Sequence, residues 1–260
     1  MNWRLGVVGS PVAHSLSPRL HQAGLRLAGL EGSSRPVELG LEESGRLRRL
    51  LAEQYDALAV TSPLKRVAFE LCDEASDVAK RAGSVNSLLA RDGRILGHST
   101  DGAGFVDSLC DAFGDVITNA YVVVLGSGGA ASAILDALVD RGVGSVVVQA
   151  RSESRVAELT QRYSNVRASS QVERPVDLVV NTLPVAARPS ESAVLAGVHP
   201  GTVAVDLAYE PRDSAWRQHY RDAGCRTLNG LPMLAYQAAF QMGWWWGVTL
   251  KGAQLLEVLD

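Results

Sequence analysis

A glycine-rich turn provides the first residues of this chain that could do chemistry. It follows an apolar run at 120–125 and opens a helix-like stretch at 131–141. A strand, a glycine turn and a helix in this order let the backbone come close to a pyrophosphate, whose charge lies at the helix N-terminus. The pattern G-x-G-x-x-A therefore predicts a dinucleotide site, and the alternative is a tight turn that binds nothing. The predicted contacts are Gly126, Ser127, Gly128, Gly129 and Ala130.

The residues after the next predicted strand bear on which dinucleotide is bound. The run Ser145–Gln149 is followed by Arg151, Ser152 and Arg155, and not by a carboxylate in the usual place. A carboxylate there holds a ribose 2′-hydroxyl, whereas an arginine suits a 2′-phosphate, which it can bind through two parallel hydrogen bonds. These residues favour NADP as the cofactor. The alternative is a solvated first helical turn in which Glu153 partly cancels the charge.

Lys65 and Asp101 are groups that could move a proton. Lys65 follows Thr61-Ser62-Pro63 at the end of the predicted strand Ala57–Val60, where α/β proteins place ligands. A partly buried lysine can donate a proton to a carbonyl. Taken singly, however, Lys65 is also typical of a surface lysine and Asp101 of a cap or hinge residue. Uncharged side chains near loops could bind a polyhydroxylated substrate or serve as caps: Ser15, Ser17, Thr61, Asn86, Thr100, Tyr209 and Gln237.

The elements that must position these groups alternate between strand and helix. In the first hundred residues, helices are predicted at 17–28 and 42–54, and a hairpin is predicted around Asp92-Gly93. A strand is also expected at 35–39. Later strands, expected at 121–125, 145–149, 176–180, 203–206 and 225–228 with helices between most of them, predict a parallel sheet with right-handed crossovers. A last helix at 232–248 contains Trp244-Trp245-Trp246, which cannot all share one helix face.

These patterns predict an α/β fold with two domains. Residues 101–235 are expected to form a Rossmann-type NADP-binding domain. Residues 1–100 together with 236–260 are expected to form an α/β substrate-binding catalytic domain, because the last helix returns to it. The active site is expected in the cleft between the two domains.

Composition and charge argue against several functional classes. A chain of 260 residues with 47% hydrophobic and 20% charged residues is typical of a globular protein with one large or two modest domains. The net charge of -3 and the lack of a basic block argue against a nucleic-acid partner. No apolar stretch approaches bilayer length and no signal peptide is visible, so a cytoplasmic protein without a membrane partner is expected.

Cysteine and histidine spacing predicts no metal site. Cys72, Cys110 and Cys225 are scattered, as expected of thiols in a reducing compartment, and the five histidines form no Cys/His cluster. The expected partner is a small-molecule substrate. The sequence leaves the oligomeric state open, with a homodimer as one option.

Several short motifs lie along the chain in order. They are Gly9-Ser10-Pro11-Val12-Ala13-His14-Ser15-Leu16-Ser17-Pro18, Val60-Thr61-Ser62-Pro63-Leu64-Lys65, Gly83-Ser84-Val85-Asn86-Ser87-Leu88, Ser99-Thr100-Asp101-Gly102, Asp206-Leu207-Ala208-Tyr209-Glu210-Pro211 and Gly230-Leu231-Pro232-Met233-Leu234-Ala235-Tyr236-Gln237-Ala238-Ala239. Over essentially the whole chain they resemble the shikimate dehydrogenase family, and together they are much more specific than the glycine turn.

The resemblance implies a reversible, NADPH-dependent reduction of 3-dehydroshikimate to shikimate, a step of chorismate and aromatic amino acid biosynthesis. It implies that Lys65 and Asp101 form the catalytic pair and that Ser15 and Ser17 meet the substrate carboxylate. The remaining substrate contacts that it implies are Thr61, Asn86, Tyr209 and Gln237. The further cofactor contacts that it implies are Asp77, Arg151, Ser152, Arg155, Leu207 and Gly230.

The chain departs from the family pattern at several positions. Ala59 and Ser99 each stand where the family usually has asparagine, which is compatible with a paralogue that acts on quinate or an amino analogue. Ala150 and Thr182-Leu183-Pro184 also differ, which bears on how the adenosine end is held. A methylene-tetrahydrofolate dehydrogenase would need an aromatic pocket, and the chain has only 6% aromatic residues. A nonenzymatic NADP(H)-binding regulator is disfavoured by Lys65 together with Asp101.

Overall fold

The computed structural model describes residues 2–172, 175–184 and 197–259, which fold into two compact units. The first unit comprises Met1–Ser108 and Leu234–Asp260, and the second comprises Leu109–Met233. The sequence suggested boundaries after residues 100 and 235 instead. The first boundary lies inside the helix Asp101–Phe113 because the start of that helix packs in the first unit. A Cβ atom on Gly104 would lie only 2.5 Å from the backbone nitrogen of Gln237.

The first unit is built on a mixed six-stranded sheet. Its strands are β1 (Asn2–Gly9), β2 (Glu31–Glu38), β3 (Ala57–Val60), β4 (Glu74–Ala75), β5 (Ser87–Arg91) and β6 (Arg94–His98). They lie in the order β2-β1-β3-β5-β6-β4. β1 is parallel to β2 and β3, whereas β5 is antiparallel to both β3 and β6. The end of β3, the start of β5 and the end of β6 therefore lie at the same edge of the sheet.

The helices of the first unit have recognisable boundary signals. They are α1 (Ser17–Leu27), α2 (Arg46–Glu53), α3 (Lys65–Leu71), α4 (Asp77–Ala82) and the first part of α5 (Asp101–Phe113). Pro18 lies in the first turn of α1. The Ser76 side chain caps α4 at its N-terminus, and Gly83 ends it in the left-handed region with φ 59°. On α2, three leucines at helical spacing (Leu47, Leu50 and Leu51) pack into the core of the unit.

The second unit contains a parallel six-stranded sheet. Its strands are β7 (Tyr121–Leu125), β8 (Ser145–Gln149), β9 (Val166–Ala168), β10 (Leu178–Asn181), β11 (Val203–Asp206) and β12 (Arg226–Leu228). Their order is β12-β11-β10-β7-β8-β9. Its described helices are α6 (Gly129–Asp140), α7 (Glu153–Arg162) and α8 (Ala215–Asp222), followed by the start of α9 (Gly230–Trp246). Counted from β7, this is the strand order 3-2-1-4-5-6 of dinucleotide-binding folds, which confirms the predicted α/β class.

One local prediction is wrong, and two short strands were not anticipated. The helix expected at 42–54 is split into a 3-10 turn at Leu41–Glu43 and α2, and Gly45, a residue type disfavoured in helix interiors, lies between them as the N-cap of α2. The short strands β4 and β9 were not predicted, since two or three residues are too few to show a period. The tryptophans on α9 divide as expected: Trp245 is buried, while Trp244 and Trp246 are half-buried. A final helix, α10 (Gly252–Leu256), follows.

Candidate active site

A buried ion pair joins Lys65 to Asp101 in the first unit. The Lys65 Nζ atom lies 2.5 Å from Asp101 Oδ2, and the two side chains are only 15% and 5% exposed. Lys65 is the first residue of α3 and Asp101 the first residue of α5. These helices follow β3 and β6, whose ends share one edge of the sheet, so residues 36 positions apart meet. A buried carboxylate holds the lysine in one place, which a surface ion pair would not do.

Asn86 connects this ion pair to the end of the sheet. It immediately precedes β5, and its carbonyl oxygen accepts a hydrogen bond from the Val60 N–H at the end of β3. Its side-chain Nδ2 lies 2.9 Å from Asp101 Oδ1 and 3.0 Å from Gln237 Oε1. The antiparallel pairing of β5 with β3 is what places this amide beside the carboxylate.

Gln237 and Thr100 complete the polar cluster. The Gln237 Nε2 atom donates to the Leu234 carbonyl at 2.9 Å, within α9. The Thr100 hydroxyl donates to the Gln237 carbonyl at 3.0 Å. Since Thr100, Gln237 and Asn86 are all buried, each of these hydrogen bonds is made away from bulk water. The structure thus brings together five of the candidate residues: Lys65, Asn86, Thr100, Asp101 and Gln237.

The two predicted serines lie on the segment that follows β1. The Ser15 hydroxyl accepts a hydrogen bond from the Ser17 N–H at 3.2 Å, and Ser17 begins α1. The loop is held by Glu38, whose carboxylate accepts from the Val12 N–H at 3.1 Å. Hydrogen bonds from the Ser10 side chain and the Val12 N–H hold the pKa of Glu38 below its usual range. Glu38 therefore stays ionised and keeps this segment in place near neutral pH.

Thr61 lies beside the same loop. Its N–H donates to the Val8 carbonyl at 2.9 Å, and the Ser10 N–H donates to the Ser62 carbonyl at 3.0 Å. A Cβ atom on Gly9 would lie 2.3 Å from Thr61 Cγ2, so only glycine allows this close approach. The segments after β1 and β3 are therefore tied together at the edge of the sheet that carries Lys65.

The glycine turn of the second unit leaves open space at the start of α6. Gly126 follows β7 with φ 114°, and a Cβ atom there would lie 2.2 Å from Thr182 Oγ1. Gly128 is the N-cap of α6 and makes no side-chain cap, and a Cβ atom on it would meet nothing within 4 Å. The uncapped N–H groups of the first turn of α6 and the open space above Gly128 fit the pyrophosphate of a dinucleotide. Ser127, Gly129 and Ala130 lie in the same turn.

The predicted 2′-phosphate residues follow β8. Arg151 and Arg155 are exposed, and Ser152 is the N-cap of α7. Among the described residues, neither arginine is engaged in a hydrogen bond or ion pair. Two unpaired guanidinium groups at the start of a helix provide charge suited to an anion.

The remaining predicted residues are spread over both units. Leu207 follows β11 and lies against Gly230. A Cβ atom on Gly230 would lie only 2.0 Å from the Leu207 carbonyl oxygen, which shows how close the two segments are. Tyr209 is half-buried on the same segment of the second unit. Asp77, at the start of α4 in the first unit, has a side chain that is 90% exposed and lies 3.5 Å from Lys80.

Comparison with known proteins places this site in a family. A family model described as the shikimate dehydrogenase substrate binding domain matches residues 7–88. A curated relative from Gluconobacter oxydans, named shikimate dehydrogenase (NADP(+)), is 36% identical over 255 residues, covering 94% of this chain and 90% of the relative. The chain belongs to the shikimate dehydrogenase family. This confirms the resemblance seen in the motifs.

Solved structures show both a matching fold and a range of substrates. A shikimate dehydrogenase from Thermus thermophilus, in complex with NADP(H) and shikimate, superposes with a TM-score of 0.87 at 32% identity and covers 98% of both chains. A 5-ketofructose reductase from Gluconobacter sp. strain CHM43 superposes with a TM-score of 0.82 at 25% identity, covering 100% of this chain and 98% of the other. Fold alone therefore does not decide the substrate.

The described residues show neither a metal-binding cluster nor a membrane-spanning helix. No group of three or more His, Cys, Asp and Glu side chains there is arranged to hold a metal ion. None of the helices in the described ranges combines the length and apolar character needed to cross a bilayer.

Two buried residues behind the site were given no role from the sequence of this member of the shikimate dehydrogenase family. His21 and Gln241 are both buried, and their side chains meet with 3.3 Å between His21 Nε2 and Gln241 Oε1. Burial lowers the pKa of His21 to about 4. A signal was present, since Gln241 lies four residues after Gln237 and so shares its face of an otherwise apolar helix.

Proposed function

We propose that this chain catalyses the reversible reduction of 3-dehydroshikimate to shikimate with NADPH. The observation that supports this most directly is the buried Lys65–Asp101 ion pair, with the Asn86 amide bound to Asp101 and the Gln237 amide bound to Asn86. A cation and hydrogen-bonding amides on one rigid sheet edge suit a small polyhydroxylated carbonyl compound. The reaction is a step of chorismate and aromatic amino acid biosynthesis.

In this proposal Lys65 moves the proton of the reaction. NADPH, when bound, supplies the hydride that is added to the ketone carbon. Lys65 gives a proton from Nζ to the ketone oxygen, and in the reverse direction it takes the proton from the shikimate hydroxyl. Asp101 holds the ammonium group in position at 2.5 Å and compensates its charge away from water. Proton transfer of this kind typically contributes about 10²–10⁴-fold to the rate.

The other residues would bind and orient the substrate. Ser15 and Ser17, next to each other at the start of α1, would receive its carboxylate. Thr61, Asn86 and Gln237 would meet its ring hydroxyls, and Tyr209 would be a further substrate contact. Since a buried hydroxyl without a partner costs about 1–3 kcal/mol, such contacts select polyols that present hydroxyls in matching positions.

The second unit would bind NADP in preference to NAD. The turn at 126–130 would hold the pyrophosphate at the start of α6. The cations Arg151 and Arg155, with Ser152, would hold the 2′-phosphate. Leu207 and Gly230, which touch each other, and Asp77 would make further contacts with the cofactor.

A substrate panel tests the proposed function. NADPH absorbance is followed with 3-dehydroshikimate, and the reverse reaction is followed with shikimate and quinate, each with NADP and NAD. We expect turnover of 3-dehydroshikimate and shikimate, with NADP favoured. Because Ala59 and Ser99 differ from the family pattern, quinate is the critical competitor. Faster turnover of quinate than of shikimate, or no turnover with any of these compounds, would contradict the proposal.

Lys65→Ala tests the chemical assignment. The variant should lose about 10²–10⁴-fold in kcat while its affinity for NADPH stays unchanged. The chain has lysines at 65, 80 and 251, and Lys251 provides the control because it is exposed. Lys251→Ala should retain wild-type kcat. Near wild-type kcat in Lys65→Ala would show that Lys65 does not transfer the proton.

A further inference from the structure

A continuous series of hydrogen bonds leads from the Asp101 carboxylate into the core of the first unit. It passes through Asn86, Ser87 and Gln241 and reaches His21. All of these side chains are buried. Because these side chains are buried away from bulk water, the donor and acceptor capacity of each group determines the direction of each hydrogen bond.

The orientation of the Gln241 amide is fixed by the main chain. Its Nε2 atom lies 2.8 Å from the Asn86 carbonyl oxygen, which can only accept. The amide nitrogen must therefore face Asn86, and Oε1 must face His21. Since Oε1 can only accept, His21 carries its proton on Nε2, and its Nδ1 accepts from the Ser34 hydroxyl at 2.8 Å.

This orientation determines what Ser87 does. Gln241 Nε2 donates its second hydrogen to Ser87 Oγ at 2.8 Å. The Ser87 hydroxyl then directs its own hydrogen to Asn86 Oδ1 at 3.0 Å. The Thr100 N–H also donates to Asn86 Oδ1, at 2.9 Å. With two donors on Oδ1, the Asn86 amide cannot flip, and Nδ2 is held facing Asp101 Oδ1.

We infer that Gln241 is a positioning residue for the Lys65–Asp101 pair, acting through Ser87 and the Asn86 main chain to fix the Asn86 amide against the Asp101 carboxylate. In the flipped amide, Oδ1 would face a carboxylate oxygen, which repels it. Gln241 thus keeps Asp101 in the orientation that holds the Lys65 ammonium. The catalytic part of this inference rests on the proposed function.

Two variants and a control separate this inference from simple packing. Gln241→Met keeps the length of the side chain but removes the donors. Ser87→Ala removes one link with little change of volume. Met242→Leu alters a neighbouring buried residue on α9 that lies outside the hydrogen-bond series. Thermal melts of all three show whether they fold, and Ser87→Ala carries the test if Gln241→Met does not fold.

Steady-state kinetics give the first readout. We expect kcat to fall about tenfold in Gln241→Met and about threefold in Ser87→Ala, with KM for shikimate changed less than about twofold, because the lost interaction orients the reacting pair. The double variant should lose no more than Gln241→Met alone, since both residues act through one path. Met242→Leu should keep wild-type kcat. A rise of KM at constant kcat, or losses that multiply in the double variant, would overturn the inference.

The second readout needs no substrate. In protein labelled with 15N at asparagine, the side-chain amide signals of Asn86 are assigned by their loss in Asn86→Asp. They should shift in Gln241→Met and Ser87→Ala but not in Met242→Leu. Unshifted signals in both variants would overturn the inference whatever the activity. If the wild-type enzyme turns over none of the panel but these signals shift, the proposed function fails and the positioning of Asn86 by Gln241 stands.

Discussion

Acidification should weaken the folding of the first unit in part through one fully buried side chain, His21. This residue is fully buried, and its ring nitrogens face the Ser34 hydroxyl and the Gln241 amide oxygen, neither of which carries a charge. Its ring edge packs on Trp245 with 5.3 Å between the ring centroids. Burial lowers the pKa of His21 from 6.5 to about 4. The folded protein therefore keeps this ring neutral where an unfolded chain would protonate it.

The sign and size of the effect follow from the two pKa values. Between pH 6.5 and 4, the unfolded chain binds a proton at His21 that the folded chain does not bind, so stability is lost as the pH falls through this window. The loss from this residue is about 2 kcal/mol at pH 5 and about 3 kcal/mol at pH 4. Above about pH 6.5 the contribution is nearly constant.

Urea unfolding followed by tryptophan fluorescence measures this loss. Of the tryptophans, Trp3 and those at 244–246 lie in the first unit and only Trp216 lies in the second, so the signal reports mainly on the unit that contains His21. Carboxylates also titrate in this range, so wild type is compared with His21→Asn at about pH 8 and about pH 5. We expect wild type to lose about 2 kcal/mol more than His21→Asn over this interval.

His14 provides the control, because it is exposed. His14→Gln should lose as much stability on acidification as wild type does. Equal losses in wild type and His21→Asn would refute the reasoning, since the buried ring would then not be the source of the linkage.

Three more outcomes are expected for the second unit. Arg151→Asp should weaken NADPH binding about ten- to a hundredfold and NADH binding far less, because only NADPH presents a 2′-phosphate; equal weakening in fluorescence titrations would make Arg151 merely structural. Gly128→Ala should leave the melting temperature unchanged but cost about 1–3 kcal/mol of NADPH affinity, since its new methyl group would occupy the open space of the turn. Gly126→Ala should instead lower the melting temperature, because φ 114° and the contact with Thr182 exclude a side chain; an unaltered melt would show that the turn can relax.

The buried parts of the fold were accessible from the sequence. β7, β8 and β11 have the predicted bounds because strands of a parallel sheet that are covered on both faces are continuous apolar runs. The edge strand β2 is longer than the predicted run at 35–39, because most of its polar residues face solvent and its first half has no apolar alternation. Gly45 is disfavoured inside a helix, but the helical spacing of the leucines around it favoured the prediction of one continuous helix.

The site was accessible only in part. The types of Lys65 and Asp101 suggested chemistry, but nothing in their spacing predicts that they meet, and the family resemblance supplied the pairing. The contact between Lys65 and Asp101 depends on β5, which lies between β3 and β6 and is antiparallel to both, so that β3 and β6 end at the same edge of the sheet. The same arrangement brings Asn86 to the end of β3. The path through Ser87 and Gln241 was missed because it depends on which amide atom faces which neighbour, and that is a property of packed coordinates.

The hydrogen bonds around Asn86 also affect how readily this protein is chemically degraded. Asparagine is among the thermolabile residues, and hydrolysis of its side-chain amide leaves an aspartate. At position 86 the product would place a second carboxylate against the Asp101 carboxylate, since the Asn86 amide nitrogen now lies 2.9 Å from Asp101 Oδ1. In the native fold the amide is buried and restrained by its neighbours, which protects it. Heat or denaturant that opens this region would therefore convert a reversible loss of structure into permanent chemical inactivation.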